Sequence, residues 1–288
     1  MKRAMAPTDA LREVALTPAH LDAALALSAE AGWNQTADDW RLMIAHGRAI
    51  GLEAPDGRLV ASALALPYGG RFAWISMVLV TADWRRKGLA SRLMQSWIDC
   101  LLSRGLTPVL DATPAGRTVY GPLGFAPAFA LSRMEADAPR PTPAGGVPVR
   151  RLAPDDLPAI VRYDAEIFGA DRGFILADLA ARAPALALVA DAPRRGFVLG
   201  RPGRSATQIG PVAADDPRTA VALLAAALAA APSGPMLIDV PDAQGRMLDH
   251  LERSGFRLQR PYTRMIHRRA EPFGDPGRTY AIAGPELG

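Results

Sequence analysis

Residues 78–94 read Val-Leu-Val-Thr-Ala-Asp-Trp-Arg-Arg-Lys-Gly-Leu-Ala-Ser-Arg-Leu-Met. An apolar strand runs into three consecutive cations, then a glycine, then a long amphipathic helix. That order constrains the fold more than any other stretch of the chain, because it builds an anion site. Glycine allows close backbone approach, and the first turn of a helix leaves its N–H groups without intrahelical partners. The helix dipole adds partial positive charge at the same place, which makes phosphate a natural guest. Arg85, Arg86 and Lys87 add full charges, and arginine can grip phosphate oxygens in bidentate fashion. A basic cluster ahead of a helix also suits a plain solvated face.

About thirty residues on, Thr107–Ala112 reads as a short strand, followed by Gly116-Arg117-Thr118-Val119-Tyr120-Gly121-Pro122-Leu123-Gly124-Phe125. The spacing Arg85-x-x-Gly88-x-Ala90 resembles the pyrophosphate loop of the GNAT superfamily of acyl-CoA-dependent N-acyltransferases. The second segment resembles the family's short tyrosine-bearing helix that closes on Leu-Gly-Phe. Neither a Walker loop nor a dinucleotide fingerprint fits, since Gly-Lys-Ser/Thr and the further glycines are missing.

The resemblance implies acetyl-CoA as co-substrate. It assigns Val78, Leu79 and Val80 to the pantetheine arm. The N–H groups of Arg86, Lys87, Gly88, Leu89, Ala90 and Ser91, with Arg85 beside them, fall to the pyrophosphate. Tyr120 takes the role of general acid. The family usually carries Asn and Ala seven and four residues before that tyrosine, where this chain has Thr113 and Gly116.

Composition bounds the remaining possibilities. The 288 residues are 49% hydrophobic and 22% charged, which is globular and long enough for two domains. The net charge of +4 is mild, and the cations are scattered, so nucleic-acid binding is not expected. Cys100 is the sole cysteine and is expected to fill a small apolar role; no internal disulfide can form, and a cytoplasmic setting fits. Met1–Ala15 lacks a signal-peptide core, and the alanine-rich Thr219–Pro232 is too short to span a bilayer. His20, His46, His250 and His267 form no metal spacing with Cys100, so no metal is expected.

The first half reads as mixed α/β. Strands are expected at Leu11–Leu16, Arg48–Glu53, Leu59–Leu66, Phe72–Val80 and Ala126–Met134. Helices are expected after Thr17-Pro18, from Thr36 to His46, and from Gly88 to Arg104. Residues 138–148 hold four prolines and two glycines and read as a linker between domains at 1–137 and 149–269. The second half repeats strand and helix: strands near Ala185–Ala190, Gly196–Leu199, Thr207–Val212, Pro235–Val240 and Phe256–His267, with helices at Pro154–Phe168, Pro217–Ala231 and Ala243–Arg253. Residues 270–288 are Gly/Pro-rich and read as a loose tail.

The halves are a repeat. Gly124 lies nine residues before Arg133 in Leu123-Gly124-Phe125 and Ser132-Arg133-Met134. Gly255 lies nine before Arg264 in Ser254-Gly255-Phe256 and Thr263-Arg264-Met265, at an offset of 131 residues. Carried forward, Arg85, Gly88 and Ala90 land on Asp216, Thr219 and Val221, and Tyr120 lands on Leu251. A carboxylate repels phosphate, so the second copy is expected to hold no CoA in the usual way. The expected fold is therefore α/β (α+β): two tandem GNAT-like domains, each a mixed, mostly antiparallel sheet flanked by helices.

The resemblance implies an N-acetyltransferase for a small-molecule amine. The other readings are a non-enzymatic acyl-CoA or metabolite sensor and a protein N-acetyltransferase. In this superfamily the loop between the first two helices borders the acceptor, and here it offers Trp33 and Asn34. From the second half, Gln208, Asp239 and Tyr262 are polar positions on expected strands and could close an acceptor pocket. Glu30, Asp83 and Asp111 are candidates for a general base, with a water relay as the alternative.

Overall fold

The computed structural model describes residues 10–144, 146–191 and 195–288. They form two compact units, one up to Pro108 and one from Val109 to Gly288.

The first unit contains β1 (Arg12–Leu16), α1 (Leu21–Glu30), α2 (Ala37–His46), β2 (Arg48–Glu53), β3 (Leu59–Tyr68), β4 (Phe72–Val80) and α3 (Leu89–Leu102). Strands β1 to β4 pair antiparallel in sequence order. Helix α2 begins in a reciprocal cap: the Thr36 hydroxyl accepts from the Asp39 N–H, and the Asp39 carboxylate accepts from the Thr36 N–H at 2.8 Å. In α3 the buried positions Leu89, Leu93, Met94, Trp97, Ile98 and Leu101 recur at helical spacing, giving one apolar stripe against the sheet. Helix α1 packs on α2, with the Trp40 indole donating to the Ser28 hydroxyl at 2.9 Å. Helices α1, α2 and α3 all pack on β3, which is buried along nearly its whole length, as a strand covered on both faces must be.

The second unit starts within β5 (Thr107–Ala112) and continues through α4 (Pro114–Tyr120), β6 (Phe125–Ala136), β7 (Arg150–Arg151), α5 (Leu157–Phe168), α6 (Gly173–Arg182), β8 (Leu188–Ala190), β9 (Gly196–Arg201), β10 (Thr207–Ala214), α7 (Pro217–Ala230), β11 (Met236–Pro241), α8 (Gly245–Arg253), β12 (Arg257–His267) and β13 (Thr279–Ala281). Its sheet runs β5-β12-β6-β11-β10-β9-β8-β7, with β13 beside β10. The β10–β11 pair is parallel; the β5–β12, β12–β6, β6–β11, β10–β9, β9–β8, β8–β7 and β10–β13 pairs are antiparallel. Helix α7 is apolar nearly all round and is buried accordingly; its alanines let it lie close to β8, β9, β10 and α8.

The repeats exchange strands. β12, the last long strand of the second repeat, lies between β5 and β6 of the first, and β6 in turn lies between β12 and β11. The four central strands thus alternate first, second, first, second. This is why the compact units part at Pro108/Val109 rather than in the Pro/Gly stretch at 138–148. That stretch has no helix or strand among its described residues, and it is tied down: the Arg140 N–H donates to the Ser254 carbonyl at 2.9 Å.

The expectation of a loose tail at 270–288 is corrected. Tyr280, Ala281, Ile282, Ala283 and Leu287 are buried, and β13 pairs with β10. Gly/Pro content here serves close packing rather than looseness. A Cβ on Gly274 would fall 1.9 Å from the Ile167 carbonyl oxygen, and one on Gly210 of β10 would fall 2.0 Å from the Ile282 carbonyl oxygen, so the tail lies where glycine leaves room on both sides.

Candidate active site

The route to the cation loop begins with a fault in β4. The β3–β4 register shifts between Ser62 and Leu64, so that Met77 and Val78 share one opposing residue, and Met77 takes φ 52°. The bulge is held by the buried Ser62 hydroxyl, which donates to the Met77 carbonyl at 2.8 Å. Beyond it, Leu79 is buried while Val78 and Val80 are half-buried. The chain then makes a short turn at Ala82–Trp84, whose Ala82 N–H donates to the Glu30 carboxylate at 2.7 Å.

Two residues of the loop, Arg86 (φ 62°) and Gly88 (φ 77°), are left-handed and wrap the backbone toward α3. Gly88 is the N-cap and supplies no side-chain acceptor. The Arg92 N–H bonds the Gly88 carbonyl at 2.9 Å, so the N–H groups of Leu89, Ala90 and Ser91 precede the helical ladder. Arg85 and Arg86 are exposed. The Arg85 Nε donates to the Val80 carbonyl at 3.0 Å, and the Lys87 ammonium lies 4.7 Å from the centre of the buried Trp84 ring. The loop therefore combines an uncapped helix terminus with three positive side chains, a fit for a pyrophosphate group.

Tyr120 ends α4. The two departures from the family pattern have clear roles there. Thr113 is the N-cap, its hydroxyl accepting from the Gly116 N–H at 3.1 Å. Gly116 leaves room for the phenol, since a Cβ would lie 2.8 Å from the Tyr120 ring. Burial pushes the Tyr120 hydroxyl up to about 12, so it stays protonated at neutral pH. The ring centre lies 6.2 Å from that of Phe125, which in turn meets His267 of β12 edge-on at 5.4 Å.

The chain shares this pattern with known proteins. Residues 19–125 match the family model "Acetyltransferase (GNAT) family", and residues 160–281 match "Acetyltransferase (GNAT) domain". Between them the two matches cover most of the chain. The chain belongs to the GNAT family of acetyltransferases. It is 25% identical to the uncharacterized N-acetyltransferase YitH of Bacillus subtilis (strain 168) over 273 residues, which is 93% of this chain and 95% of the relative. It is 26% identical to the holothin acyltransferase of Pseudoalteromonas sp. (strain SANK 73390) over 247 residues, covering 80% and 78%. The crystal structure of a putative acetyltransferase from Pyrococcus horikoshii shares the fold with a TM-score of 0.81 at 18% identity, covering 100% of this chain and 99% of that one. The family generally uses acetyl-CoA, and the chain is an acyltransferase by these matches.

The second GNAT domain closes the features that the first leaves open. Asp216 caps α7: its carboxylate accepts from the Arg218 and Thr219 N–H groups at 2.9 and 3.0 Å and from the Thr219 hydroxyl at 2.9 Å. Pro217, the first helical residue, has no N–H to offer. A built-in anion thus satisfies this helix start. Asp215 accepts from the Tyr163 hydroxyl at 3.0 Å and from the Arg195 N–H at 3.1 Å. Leu251, at the offset position of Tyr120, is wholly buried. Strand β10 is bulged between Ile209 and Val212, and past the bulge β13 pairs with it, while the Ile282 N–H donates to the Asp239 carbonyl of β11. The chain's own tail lies along β10 there.

Of the residues suggested for an acceptor, Gln208, Asp239 and Tyr262 are brought together, and sequence reasoning missed what joins them. Arg133 grips Asp239 with two bonds of 2.7 and 2.8 Å, Gln208 donates to the same carboxylate at 3.1 Å, and the Arg133 guanidinium lies 5.2 Å from the centre of the Tyr262 ring. All four side chains are buried. Asp239 raises the affinity of Arg133 for its proton, and burial pushes the Tyr262 hydroxyl up to about 12. Arg201 and Glu286 form a further buried pair. In the first unit Trp33 is half-buried and Asn34 buried.

The three carboxylates considered as bases are all engaged in holding structure. Glu30 accepts from Ala82, Asp83 pairs with Arg58 at 2.6 Å, and Asp111 is held by two 2.9 Å bonds from Arg264. Among the described residues no group of three or more His, Cys, Asp or Glu side chains could hold a metal ion, and no helix is long and apolar enough to cross a membrane. Cys100 is half-buried, more open than the apolar role expected of it.

Proposed function

We propose that the protein transfers an acetyl group from acetyl-CoA directly to the amine of a small molecule, with Tyr120 as the general acid. The observation that carries this reading is the uncapped start of α3 after left-handed Arg86 and Gly88, set beside its closed counterpart at Asp216. In this reading the Leu89, Ala90 and Ser91 N–H groups and the three cations bind the pyrophosphate, and Val78, Leu79 and Val80 pair with the pantetheine arm. Arg85 keeps its Nε on Val80 and presents the rest of its guanidinium to phosphate. The second domain takes no cofactor, so one acetyl-CoA binds per chain.

The thioester arrives activated, and the protein has to align it with a neutral amine, let the attacking nitrogen shed its proton to water, and protonate the leaving sulfur. A phenol held near 12 keeps its proton through any ordinary assay pH and releases it only as thiolate charge develops. A relative named for holothin, rather than for a protein, supports a small-molecule acceptor. The buried Arg133–Asp239–Gln208–Tyr262 group of the second unit is proposed to shape acceptor choice, as, separately, are Trp33 and Asn34 of the first.

Isothermal titration with acetyl-CoA, followed by a thiol-release screen over amino acids, polyamines and aminoglycosides, tests the proposal. One site per chain with thiol release on some amine is the expected result. Binding without release on any amine would favour a sensor, and absence of binding would overturn the loop assignment.

A further inference from the structure

Helix α4 has seven residues, too few to hold its shape without outside support. None of its residues is fully buried, so packing alone does not fix it. The supports lie at its two ends, and they come from β12, a strand of the second repeat, and the residue that follows it. Ahead of the helix, Asp111 sits two residues before the Thr113 cap. Its fully buried carboxylate is held in a fork by the Arg264 guanidinium, with both bonds at 2.9 Å. Behind the helix, the Arg268 N–H donates to the Gly124 carbonyl at 2.8 Å. The His267 imidazole meets Phe125 edge-on and lies so close to Gly124 that a Cβ there would fall 2.9 Å from its Nε2. Phe125 is the ring that faces Tyr120.

We propose that Arg264 and His267 are positioning residues for Tyr120: the second repeat, its own cofactor features closed, serves the first by clamping both ends of the segment that carries the proton donor. The inference rests on the general-acid reading of Tyr120. Arg264 fixes where α4 starts, and His267 fixes where it stops and which way the phenol leans. Neither side chain exchanges a proton with substrate in this account.

The test is a double-mutant cycle in the full-length protein. His267→Ala and Arg264→Lys are each made alone and in a Tyr120→Phe background. kcat, the KM for the amine and the Kd for acetyl-CoA are measured, with circular dichroism melting as the folding control. His267→Gln, which keeps a polar side chain of similar reach at the position, is the conservative rescue. The expected result is a kcat lower by about tenfold for His267→Ala and Arg264→Lys, a small misplacement being enough for that. Acetyl-CoA affinity should stay unchanged, with partial recovery in His267→Gln. In the Tyr120→Phe background the same changes should cost little more, because they act through the phenol.

Equal fold-losses with and without Tyr120 would overturn the proposal, as would unchanged kcat in both single variants. Wild-type turnover in Tyr120→Phe alone would instead remove the general-acid reading on which the proposal stands. If His267→Ala fails to fold, Arg264→Lys and His267→Gln carry the cycle by the same criteria.

Discussion

Replacing Arg133 by methionine should damage the protein far more than its place on a strand suggests. The Asp239 carboxylate is wholly buried, and Arg133 gives it two side-chain hydrogen bonds, at 2.7 and 2.8 Å. Without Arg133 it keeps the 3.1 Å bond from Gln208 as its remaining side-chain partner. Leaving one member of a buried pair uncompensated costs about 3–5 kcal/mol, a large part of the ~5–15 kcal/mol that holds a typical protein folded. The structure favours the upper part of that range, because the lost bonds also join β6 of one repeat to β11 of the other. Removing both charges, as Arg133→Met with Asp239→Leu, should recover most of the loss, since the desolvation penalty leaves with them. Urea unfolding followed by circular dichroism measures each variant. A loss below about 1 kcal/mol for Arg133→Met would place the pair with ordinary surface bridges and refute the argument.

Tyr120→Phe should lower kcat by about 10²–10⁴-fold, the usual span for a lost general acid, while calorimetric affinity for acetyl-CoA stays the same. Arg85→Glu should weaken acetyl-CoA binding in a titration, because it sets a carboxylate beside the proposed pyrophosphate site and drops the bond to Val80. Asp216→Ala should cost about 1 kcal/mol in a urea titration through the lost cap, yet acetyl-CoA stoichiometry should remain one per chain because β13 still lies along β10. Burial holds His250 and His267 below the ordinary histidine value of 6.5, with Arg253 and Arg268 adding to the shift. The folded state then binds fewer protons than the unfolded one. Their contribution is present above pH 6.5 and is lost as pH falls through the depressed values, so melting temperature should drop on acidification; a His250→Phe, His267→Phe double variant should flatten that drop.

Local signals carried the cation loop, because everything that shapes it lies within a few residues: bulge, turn, left-handed glycine, uncapped helix. Tyr120 was legible for the same reason, and Thr113 and Gly116 do their work within a single short helix. The buried polar row was half legible. Gln208, Asp239 and Tyr262 stood out as polar residues on apolar strands, but Arg133 and Arg264 were seen as markers of the repeat, not as partners of Asp239 and Asp111. Which strand a strand pairs with depends on backbone register across more than a hundred residues, and no local pattern encodes it. The tail misled for a related reason. Glycine and proline usually signal looseness, and the few apolar residues that bury it, Tyr280, Ile282 and Leu287, are too sparse to show a period.

The strand exchange also gives the second repeat a structural part that is independent of any cofactor. Asp216 in place of Arg85 closes a helix terminus, a change confined to one turn. β12 is different, because removing it would separate β5 from β6 and free both Asp111 and the Leu123–Phe125 segment. A substitution at the closed helix start alters bonds close to that one turn, whereas substitutions in β12 reach both ends of α4. Tolerance to mutation should therefore be high around Asp215 to Val221, apart from the helix cap and the residues packed in the core. It should be low at Arg264 and His267, although all of these residues lie in the domain proposed to bind no cofactor.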